Sequence, residues 1–338
     1  MLPLGRHRLR KSLFAFFFFV ISGLLLISRN SLRIDRPQED PPSTTAEPYY
    51  FDFDSIKFLQ GTAAPCNQSR PLLLAIIHSS PSHVPHRKAI RQTWGSFAEG
   101  PDSVRTVFVI GRSKSKKISQ KVLQEAKEHG DLVLVQYMDS YKLLTLKHLA
   151  GIRWALRNCP EVPFLMKADD DAFVDTKRAL SLLVDILGPK SPSGDVIACR
   201  IMPSGTAPHR SGKYQVTQKE YPLQEYPEYC SGLAYFARPS AMAKIHEAAT
   251  SRRVPYLWID DIFVTGLAAG VAGVSHVDLG VWFARTEHDV VQWMTDQRSN
   301  RPLPWMVSEM SPRHWPVDAL LLWNKTKNSW IRTDNDAT

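Results

Sequence analysis

Three consecutive carboxylates, Asp169, Asp170 and Asp171, are the part of this sequence that most directly predicts chemistry. They follow a short apolar run, and like charges this close repel one another unless a cation is present. Hard oxygen ligands suit Mn²⁺ or Mg²⁺, whose coordination is usually completed by water and by substrate phosphates. The acid run therefore predicts a divalent metal that holds a diphosphate, and a solvated acidic turn or a helix N-cap is the alternative.

Short apolar runs and helical stretches alternate around the acid run. The runs at 72–77, 107–111, 132–135 and 164–166 are typical of buried parallel strands. The stretches 87–94, 118–129 and 143–158 read as helices, the last with apolar residues at helix-like spacing. This alternation predicts an α/β fold in which helices flank a sheet. The acid run falls at the carboxyl end of a strand, where such sheets bind their ligands.

Several classes of function are excluded because their motifs are absent. The sequence has no GxGxxG and no GxxxxGK(S/T), so dehydrogenase and P-loop NTPase functions are not predicted. The GxSxG motif of hydrolases is absent too. The net charge is +9, but residues 1–36 contain six arginines and Lys11 against one acidic residue. Little basic excess is left for the rest of the chain, so a nucleic-acid partner is not predicted.

The N-terminal region predicts a membrane anchor. Residues 12–28 form an uncharged apolar run of 17, at the lower limit for a spanning helix. Arg6, Arg8, Arg10 and Lys11 precede it and favour a cytosolic N-terminus. We expect a cytosolic tail at 1–11, an anchor at 12–28, a proline-containing stem at 29–70 and a lumenal domain at 71–338. A cleaved signal peptide is the alternative.

The cysteines and two sequons are compatible with a lumenal domain. Asn67 and Asn324 each begin an Asn-x-Ser/Thr triplet. The four cysteines stand too far apart for a zinc-type CxxC, and an oxidising lumen favours disulfides. Four cysteines allow three complete pairings, and we expect a Cys159–Cys230 bridge because both residues flank segments placed near the site.

Five sequence blocks together identify a family. The chain resembles the β-1,3-galactosyltransferase and β-1,3-N-acetylglucosaminyltransferase family of type II Golgi enzymes, from about Leu72 to about Trp293. The blocks are RKAIRQTWG at 87–95, DSYKLLTLK at 139–147, KADDDAFV at 167–174, YPEYCSG at 226–232 and DDIFVTG at 260–266. Any one block is weak evidence, whereas five in this order are specific.

The resemblance implies both a fold and a reaction. It implies a GT-A type, Rossmann-like sheet, a UDP-sugar donor, Mn²⁺ or Mg²⁺, and inversion at the anomeric carbon. The implied partners are a glycan acceptor on a glycoprotein, glycolipid or proteoglycan, and the Golgi membrane, and a homo-oligomer is compatible with the sequence. Galactose is the expected sugar, and UDP-N-acetylglucosamine is the alternative donor.

The resemblance also implies metal and donor ligands. Asp169 and Asp171 match the two carboxylates of the family's DxD motif, and Asp171 is expected to bind the metal directly. Asp169 is expected to bind the metal or, through water or the ribose, the donor. Asp170 is also expected to lie near the donor, and the resemblance does not assign it a specific role. His288 lies where a late histidine completes the family's metal site, although a nearer histidine, His276, competes with it.

Further residues match the family's catalytic and binding positions. Asp261 matches the catalytic base, and its neighbour Asp260 is expected to separate the two pKa values by repulsion. An N-cap pair at the start of a helix is the alternative for these two carboxylates. Arg87, Arg91 and Lys147 match basic positions that can counter a diphosphate, and solvated helix charges are the alternative for them.

Some residues depart from the family pattern. The family's Glu-Asp-Val-Tyr reads Asp260-Asp261-Ile262-Phe263, with one added residue before Gly266. Leu233 and Ala234 replace a glycine-rich pair, which alters the pocket walls that select the donor and the acceptor. Trp258, beside the expected base, is a candidate acceptor contact. A non-catalytic glycan-binding protein and a metal-dependent phosphohydrolase are the alternative functions.

Overall fold

The computed structural model of this chain describes residues 49–59, 66, 70–99, 102–189, 194–284, 288, 290, 307–309 and 315–336. The expected tail, the expected anchor and residues 29–48 of the expected stem lie outside the described residues. Among the helices described here, none is long and apolar enough to cross a bilayer. The described residues belong to one compact unit, Pro48–Thr338.

The strands are formed largely by the apolar runs seen in the sequence. The strands are β1 Leu73–His78, β2 Ala98–Glu99, β3 Asp102–Arg112, β4 Leu132–Met138, β5 Phe164–Asp169, β6 Ala172–Val174, β7 Val196–Met202, β8 Tyr229–Ala237, β9 Ser275–Asp278 and β10 Val307–Glu309. The side chains of β1 and most of those of β5 are buried on both faces of the sheet, which is typical of central strands in α/β proteins.

The helices begin and end at recognisable signals. A proline stands in the first turn of α1, and the Ser115 hydroxyl accepts a hydrogen bond from the Ile118 N–H at the start of α2. Gly130, with φ 63°, ends α2 in the left-handed conformation. The helices are α1 Val84–Gln92, α2 Lys116–His129, α3 Leu144–Asn158, α4 Thr176–Leu187, α5 Pro239–Thr250, a π-helix Ile262–Ala268, α6 Ala269–Ala272 and α7 Val317–Asp336.

The main sheet is mixed. Its strand order is β2-β3-β1-β5-β8-β7-β9, and β4 also pairs with β3. β1 runs parallel to β3 and β5, and β3 runs parallel to β4, whereas β8 is antiparallel to both β5 and β7. The α/β class with helices flanking a sheet is confirmed. β1, β3, β4 and β5 are the four strands that the sequence predicted as parallel.

Alternate residues of β1 divide the core into two layers. Leu73, Ala75 and Ile77 face a cluster that includes residues of α1, α4 and α7. Leu74 and Ile76 face a second cluster built with α3, α5 and the π-helix. Because α3 is buried along most of its length, the polar side chains it carries can be fixed beneath the carboxyl edge of the sheet.

Residues 49–59, which the sequence assigned to the stem, pack against this core. Phe53 is buried, and its carbonyl accepts a hydrogen bond from Arg153 at 3.1 Å. The Leu59 N–H donates to the Leu134 carbonyl at 2.8 Å, and the Gln136 N–H donates to the Lys57 carbonyl at the same distance. These residues therefore pair with the edge of β4 and contact α3.

The expected Cys159–Cys230 disulfide is wrong. The structure pairs Cys66 with Cys159 and Cys199 with Cys230, with Cα–Cα distances of 5.4 and 5.7 Å. Cys199 and Cys230 lie on the adjacent strands β7 and β8, whereas Cys159 follows the far end of α3. The pairing depends on strand register, which the spacing of cysteines in the sequence does not contain.

Candidate functional site

Two cavities meet at the carboxyl edge of the sheet. The first has a volume of about 430 Å³ and is lined by residues that follow β1, β3, β4 and β5. The second, of about 440 Å³, is lined by residues of 206–233 and 258–262 together with the acid run. Tyr141, Leu144, Asp169 and Asp171 line both cavities. The two carboxylates expected to bind a metal therefore stand where one cavity passes into the other.

Lys147 joins the strand ends at the first cavity. Its ammonium donates to the Ser79 carbonyl at 2.6 Å and lies 3.0 Å from Asp139 Oδ2. The same Asp139 oxygen accepts a hydrogen bond from the Gly111 N–H at 2.7 Å. One buried ammonium thus links the ends of β1, β3 and β4. Lys147 and Asp169 line the same cavity, and the expected role of Lys147 in countering a diphosphate stays a prediction.

Asp170 turns inward from the other two carboxylates. Its Oδ2 accepts a hydrogen bond from the Ser79 hydroxyl at 2.7 Å and lies 2.9 Å from His83 Nδ1. Burial alone would raise the pKa of Asp170, but the hydrogen bonds from His83 and Ser79 lower it. The same contact with Asp170 raises the pKa of His83. Asp170 therefore fixes the loop after β1 to the acid run.

Asp169 is paired with a buried lysine. Lys167 Nζ lies 2.7 Å from Asp169 Oδ1 and also donates to the Gly232 carbonyl. Desolvation raises the pKa of Asp169 to about 6, although the Lys167 charge opposes this shift and nearby carboxylates add to it. A carboxylate that is crowded by other negative charges in this way is stabilised by an added cation.

Asp261 stands at the start of the π-helix and lines the second cavity. Its Oδ1 accepts a hydrogen bond from the Ile262 N–H at 2.8 Å. Burial raises the pKa of Asp261 to about 7, and the charge of Asp260 adds to the shift. For Asp260, Lys167 and a hydrogen bond from His148 outweigh burial and lower the pKa. The two neighbouring carboxyls thus have separated pKa values, as the sequence predicted.

Aromatic side chains form much of the wall of the second cavity. Tyr141, Tyr214, Tyr226, Tyr229 and Trp258 line it beside Asp261. The Trp258 ring is largely buried, and Lys142 Nζ lies 3.4 Å from its ring centroid. Trp258 therefore lies in the cavity where an acceptor contact was expected, and Lys142 lies against its ring.

A buried cluster of His78, His148 and Asp260 adjoins both cavities, because His78 lines the first and Asp260 lines the second. Their ligand atoms are within 4.8 Å of one another, a span that a metal ion can bridge. However, His148 already lies 2.9 Å from Asp260 Oδ2 through Nδ1 and 2.6 Å from the Tyr235 hydroxyl through Nε2. Lys167 Nζ is also only 3.9 Å from Asp260 Oδ2. Because both ring nitrogens of His148 are already in hydrogen-bond contact with neighbouring side chains, we assign the cluster a structural role.

Arg87 and Arg91 make ion pairs away from the acid run. Both Arg87 and Arg91 contact Glu125, and Arg91 forms two further hydrogen bonds to Asp131 at 2.7 and 2.8 Å. Neither arginine lines either cavity. Arg87 also donates to the Ser79 hydroxyl at 2.9 Å, so it reaches Asp170 through one intermediate residue. The expected contact of the two arginines with a diphosphate stays a prediction.

The two late histidines are outside the lining of both cavities. His288 is exposed and does not line either cavity. His276 contacts Glu228 and the Thr265 carbonyl instead, at 2.8 and 2.7 Å. The role of His288 as a metal ligand stays a prediction.

Several residues of the site were missed by sequence reasoning. The sequence patterns predicted no role at the site for His78, His83, His148 or Lys167. His78 is the last residue of β1 and is paired in register with Asp169 at the end of β5. The position of β1 at the sheet centre was therefore the signal that could have identified His78, since central strands end at the ligand-binding edge.

The family follows from a sequence match that contains most of this site. The model of the family described as Galactosyltransferase matches residues 85–280, more than half of the chain. The chain belongs to the galactosyltransferase family. The matched region contains the acid run, Lys147, Lys167 and the pair Asp260-Asp261, so the residues around both cavities lie largely inside the galactosyltransferase domain.

Named relatives are consistent with this family. A β-1,3-galactosyltransferase 5 of Gorilla gorilla gorilla is 32% identical over 213 residues, which cover 62% of this chain and 69% of the relative. Human β-1,3-galactosyltransferase 2 is 29% identical over 225 residues, which cover 65% of this chain and 51% of the relative.

Solved structures add little to the assignment. The galactosyltransferase LgtC, solved with donor and acceptor sugar analogues, aligns at a TM-score of 0.35 and 10% identity, over 76% of this chain and 94% of that chain. Mouse xyloside xylosyltransferase 1 aligns at a TM-score of 0.36 and 13% identity, over 72% and 98%. These scores are low, so the assignment to the family rests on the sequence match.

Proposed function

We propose that this galactosyltransferase moves galactose from UDP-galactose to a hydroxyl group of a glycan, in a β-1,3 linkage and with inversion at the anomeric carbon. One observation carries this proposal. Asp169 and Asp171 line both cavities, whereas Asp261 lines only the second. A sugar diphosphate in the first cavity would thus point its sugar toward the cavity that contains the base.

The acid run fits a divalent metal. Asp169 and Asp171 offer hard oxygen ligands at the junction of the cavities, and the pKa of Asp169 is raised to about 6 among neighbouring carboxylates. We infer that these two residues hold Mn²⁺ or Mg²⁺. When bound, the metal supplies positive charge against the diphosphate of the leaving group.

Asp261 is the proposed general base. As the acceptor hydroxyl oxygen forms a bond to the anomeric carbon, its proton passes to Asp261, and the bond from that carbon to the phosphate oxygen breaks. The electron pair of the broken bond leaves with UDP. A single displacement of this kind inverts the anomeric carbon. A pKa near 7 suits Asp261, because a substantial fraction of the carboxyl group is then ionised at neutral pH and the ionised form is basic enough to accept a proton.

Location and partners are part of the same proposal. The family membership supports a GT-A type arrangement, a Golgi membrane location with the domain in the lumen, and an acceptor glycan on protein or lipid. Protease protection of sealed Golgi vesicles from cells that express the full chain tests the topology. Digestion of the domain in intact vesicles would contradict a lumenal position.

The function is tested on residues 48–338 secreted from a eukaryotic host. UDP release is measured with a panel of UDP-sugars and glycan acceptors, with Mn²⁺ and with EDTA. We expect release that requires an acceptor, prefers UDP-galactose and is lost in EDTA. Preference for UDP-N-acetylglucosamine would change the donor, release without any acceptor would indicate hydrolysis, and saccharide binding without transfer would indicate a binding protein.

Asp261→Asn tests the base within the same assay. It should lower kcat by roughly 10²–10⁴-fold, the usual contribution of general base catalysis. Asp185→Asn is a matched control, because Asp185 is an exposed residue of α4 outside both cavities. Equal rates for wild type and Asp261→Asn would refute the assignment of the base.

A further inference from the structure

The helix that carries the proposed base begins with an unusual turn. Residues Ile262–Ala268 form a π-helix directly after Asp261. π-helical turns within α-helices are rare and are frequent at functional sites. The sequence has one residue more before Gly266 than the family pattern, and a π-helical turn accommodates one added residue without moving the flanking residues out of place. The added residue therefore lies in the π-helical turn, between Asp261 and Gly266.

Thr265 lies inside this turn and ties it to strand β8. Its side chain is fully buried. The hydroxyl donates to the Asp261 carbonyl at 2.6 Å and accepts a hydrogen bond from the Cys230 N–H at 2.9 Å. A single hydroxyl therefore connects the backbone of the proposed base to the beginning of β8.

The backbone of Thr265 is fixed from a second direction. Its carbonyl lies 2.7 Å from Nε2 of His276 in β9, whose Nδ1 lies 2.8 Å from the Glu228 carboxylate. The next residue, Gly266, is closely packed, since an added Cβ would stand 3.1 Å from Tyr229 Cβ. The turn is thus held against both β8 and β9.

Strand β8 also forms the wall against which the Asp261 carboxylate rests. A Cβ at Gly232 would stand 3.1 Å from Asp261 Oδ2. Cys230, which binds the Thr265 hydroxyl, is two residues before Gly232 on the same strand. The hydroxyl therefore sets the position of the helix along the strand that bounds the carboxylate.

We propose that Thr265 is a positioning residue that holds Asp261 in the orientation needed to reach the acceptor hydroxyl. This inference rests on the proposed function, because it assigns Asp261 as the base. Misplacement of a catalytic group by about 1 Å can lower a rate by about 10²-fold. Loss of the hydroxyl should accordingly affect the catalytic step rather than donor binding.

Three variants test the role of Thr265. Thr265→Val keeps the shape but removes both hydroxyl hydrogen bonds, and Thr265→Ser keeps the hydroxyl. Thr93→Val is the matched control, because Thr93 is also buried and its hydroxyl also donates to the carbonyl four residues earlier, that of Ala89, at 2.7 Å. Thr93 lines neither cavity.

The measurements are kcat, the KM for UDP-galactose and the folded fraction of each variant at the assay temperature. We expect Thr265→Val to lower kcat about 10–100-fold while KM changes less than about twofold. Thr265→Ser, which keeps the hydroxyl, should retain most of the wild-type kcat. Thr93→Val should lose stability but retain kcat once its rate is corrected for the folded fraction.

Two results would overturn this inference and leave the proposed function intact. One is a wild-type enzyme and a Thr265→Val variant with the same kcat. The other is a loss of rate in Thr265→Val that matches its loss of folded protein, as for Thr93→Val. A wild-type chain that transfers no sugar to any acceptor would instead refute the proposed function, and with it the catalytic role of Thr265.

Discussion

The ammonium of Lys167 lies 2.7 Å from Asp169 Oδ1 and 3.9 Å from Asp260 Oδ2. This buried cation connects the acid run with the acidic pair that contains the proposed base. The two groups are 91 residues apart in sequence, yet they share one counter-ion. The charge of Lys167 lowers the pKa of both Asp169 and Asp260.

Replacement of Lys167 by Met should strongly destabilise the protein. Removing one partner of a buried ion pair leaves uncompensated charge and typically costs about 3–5 kcal/mol. The measurement is the free energy of unfolding by urea at pH 7. Lys244→Met is the control, because Lys244 pairs with Asp195 at the surface, where such pairs contribute about 0–1 kcal/mol. Equal losses in the two variants would argue against the buried network.

Gly232→Ala should impair catalysis more than stability. The added methyl group would stand 3.1 Å from Asp261 Oδ2 and 3.5 Å from its Cγ, so the carboxylate must move. We expect kcat to fall at least about 10-fold. Gly270→Ala, which meets nothing within 4 Å, is the control and should retain kcat. An unchanged kcat in Gly232→Ala would show that the carboxylate tolerates displacement.

The kcat of sugar transfer should increase as the pH rises from below 7 to above 7. Burial and Asp260 raise the pKa of Asp261 to about 7, and the base is active only when ionised. The rate should therefore fall about tenfold per pH unit well below 7. Asp260→Asn removes the neighbouring charge, so the pKa of Asp261 and the acid limb of the kcat profile should shift to lower pH. Profiles that superimpose would contradict this coupling.

Ionisation of Asp261 should also reduce stability. The unfolded chain releases this proton near pH 4, whereas the folded protein holds it until about pH 7. The stability contributed by the protonated form is thus fully present below pH 4 and is lost as pH rises through 7. Asp261→Asn should flatten this part of the stability profile, as measured by urea unfolding between pH 5 and 8.

Removal of residues 48–60 should destabilise the domain. Phe53 is 5% exposed, and its ring lies 6.1 Å from that of Phe263, which follows Asp261 in the chain by two residues. A chain that begins at Gly61 keeps Cys66 but loses this contact, worth about 1.5–3 kcal/mol for the phenylalanine alone. The thermal midpoint should fall relative to residues 48–338. In the longer chain, Phe53→Ala should lower the midpoint, whereas Tyr50→Ala, at a 38% exposed residue, should not.

The sequence alone determined the class of fold and the position of the acid run. Apolar runs such as 72–77 and 107–111 predicted β1 and β3 because strand burial is encoded locally, in consecutive residues. The acid run was placed correctly at the carboxyl end of β5, since it directly follows an apolar run. The added residue before Gly266 was also visible in the sequence, although its accommodation by a π-helix was not.

Only the tertiary structure decided which charged groups meet. His148 contacts Asp260 across 112 residues, and Arg87 contacts Glu125 across 38, so no local pattern reports either pair. The same holds for Cys199 and Cys230, whose pairing follows from the register of β7 and β8. Local periodicity fixes which residues are buried, whereas the partner of a buried charge depends on how distant elements are packed. For this reason the acid run could be found in the sequence, but the approach of its neighbour Lys167 to the distant Asp260 could not.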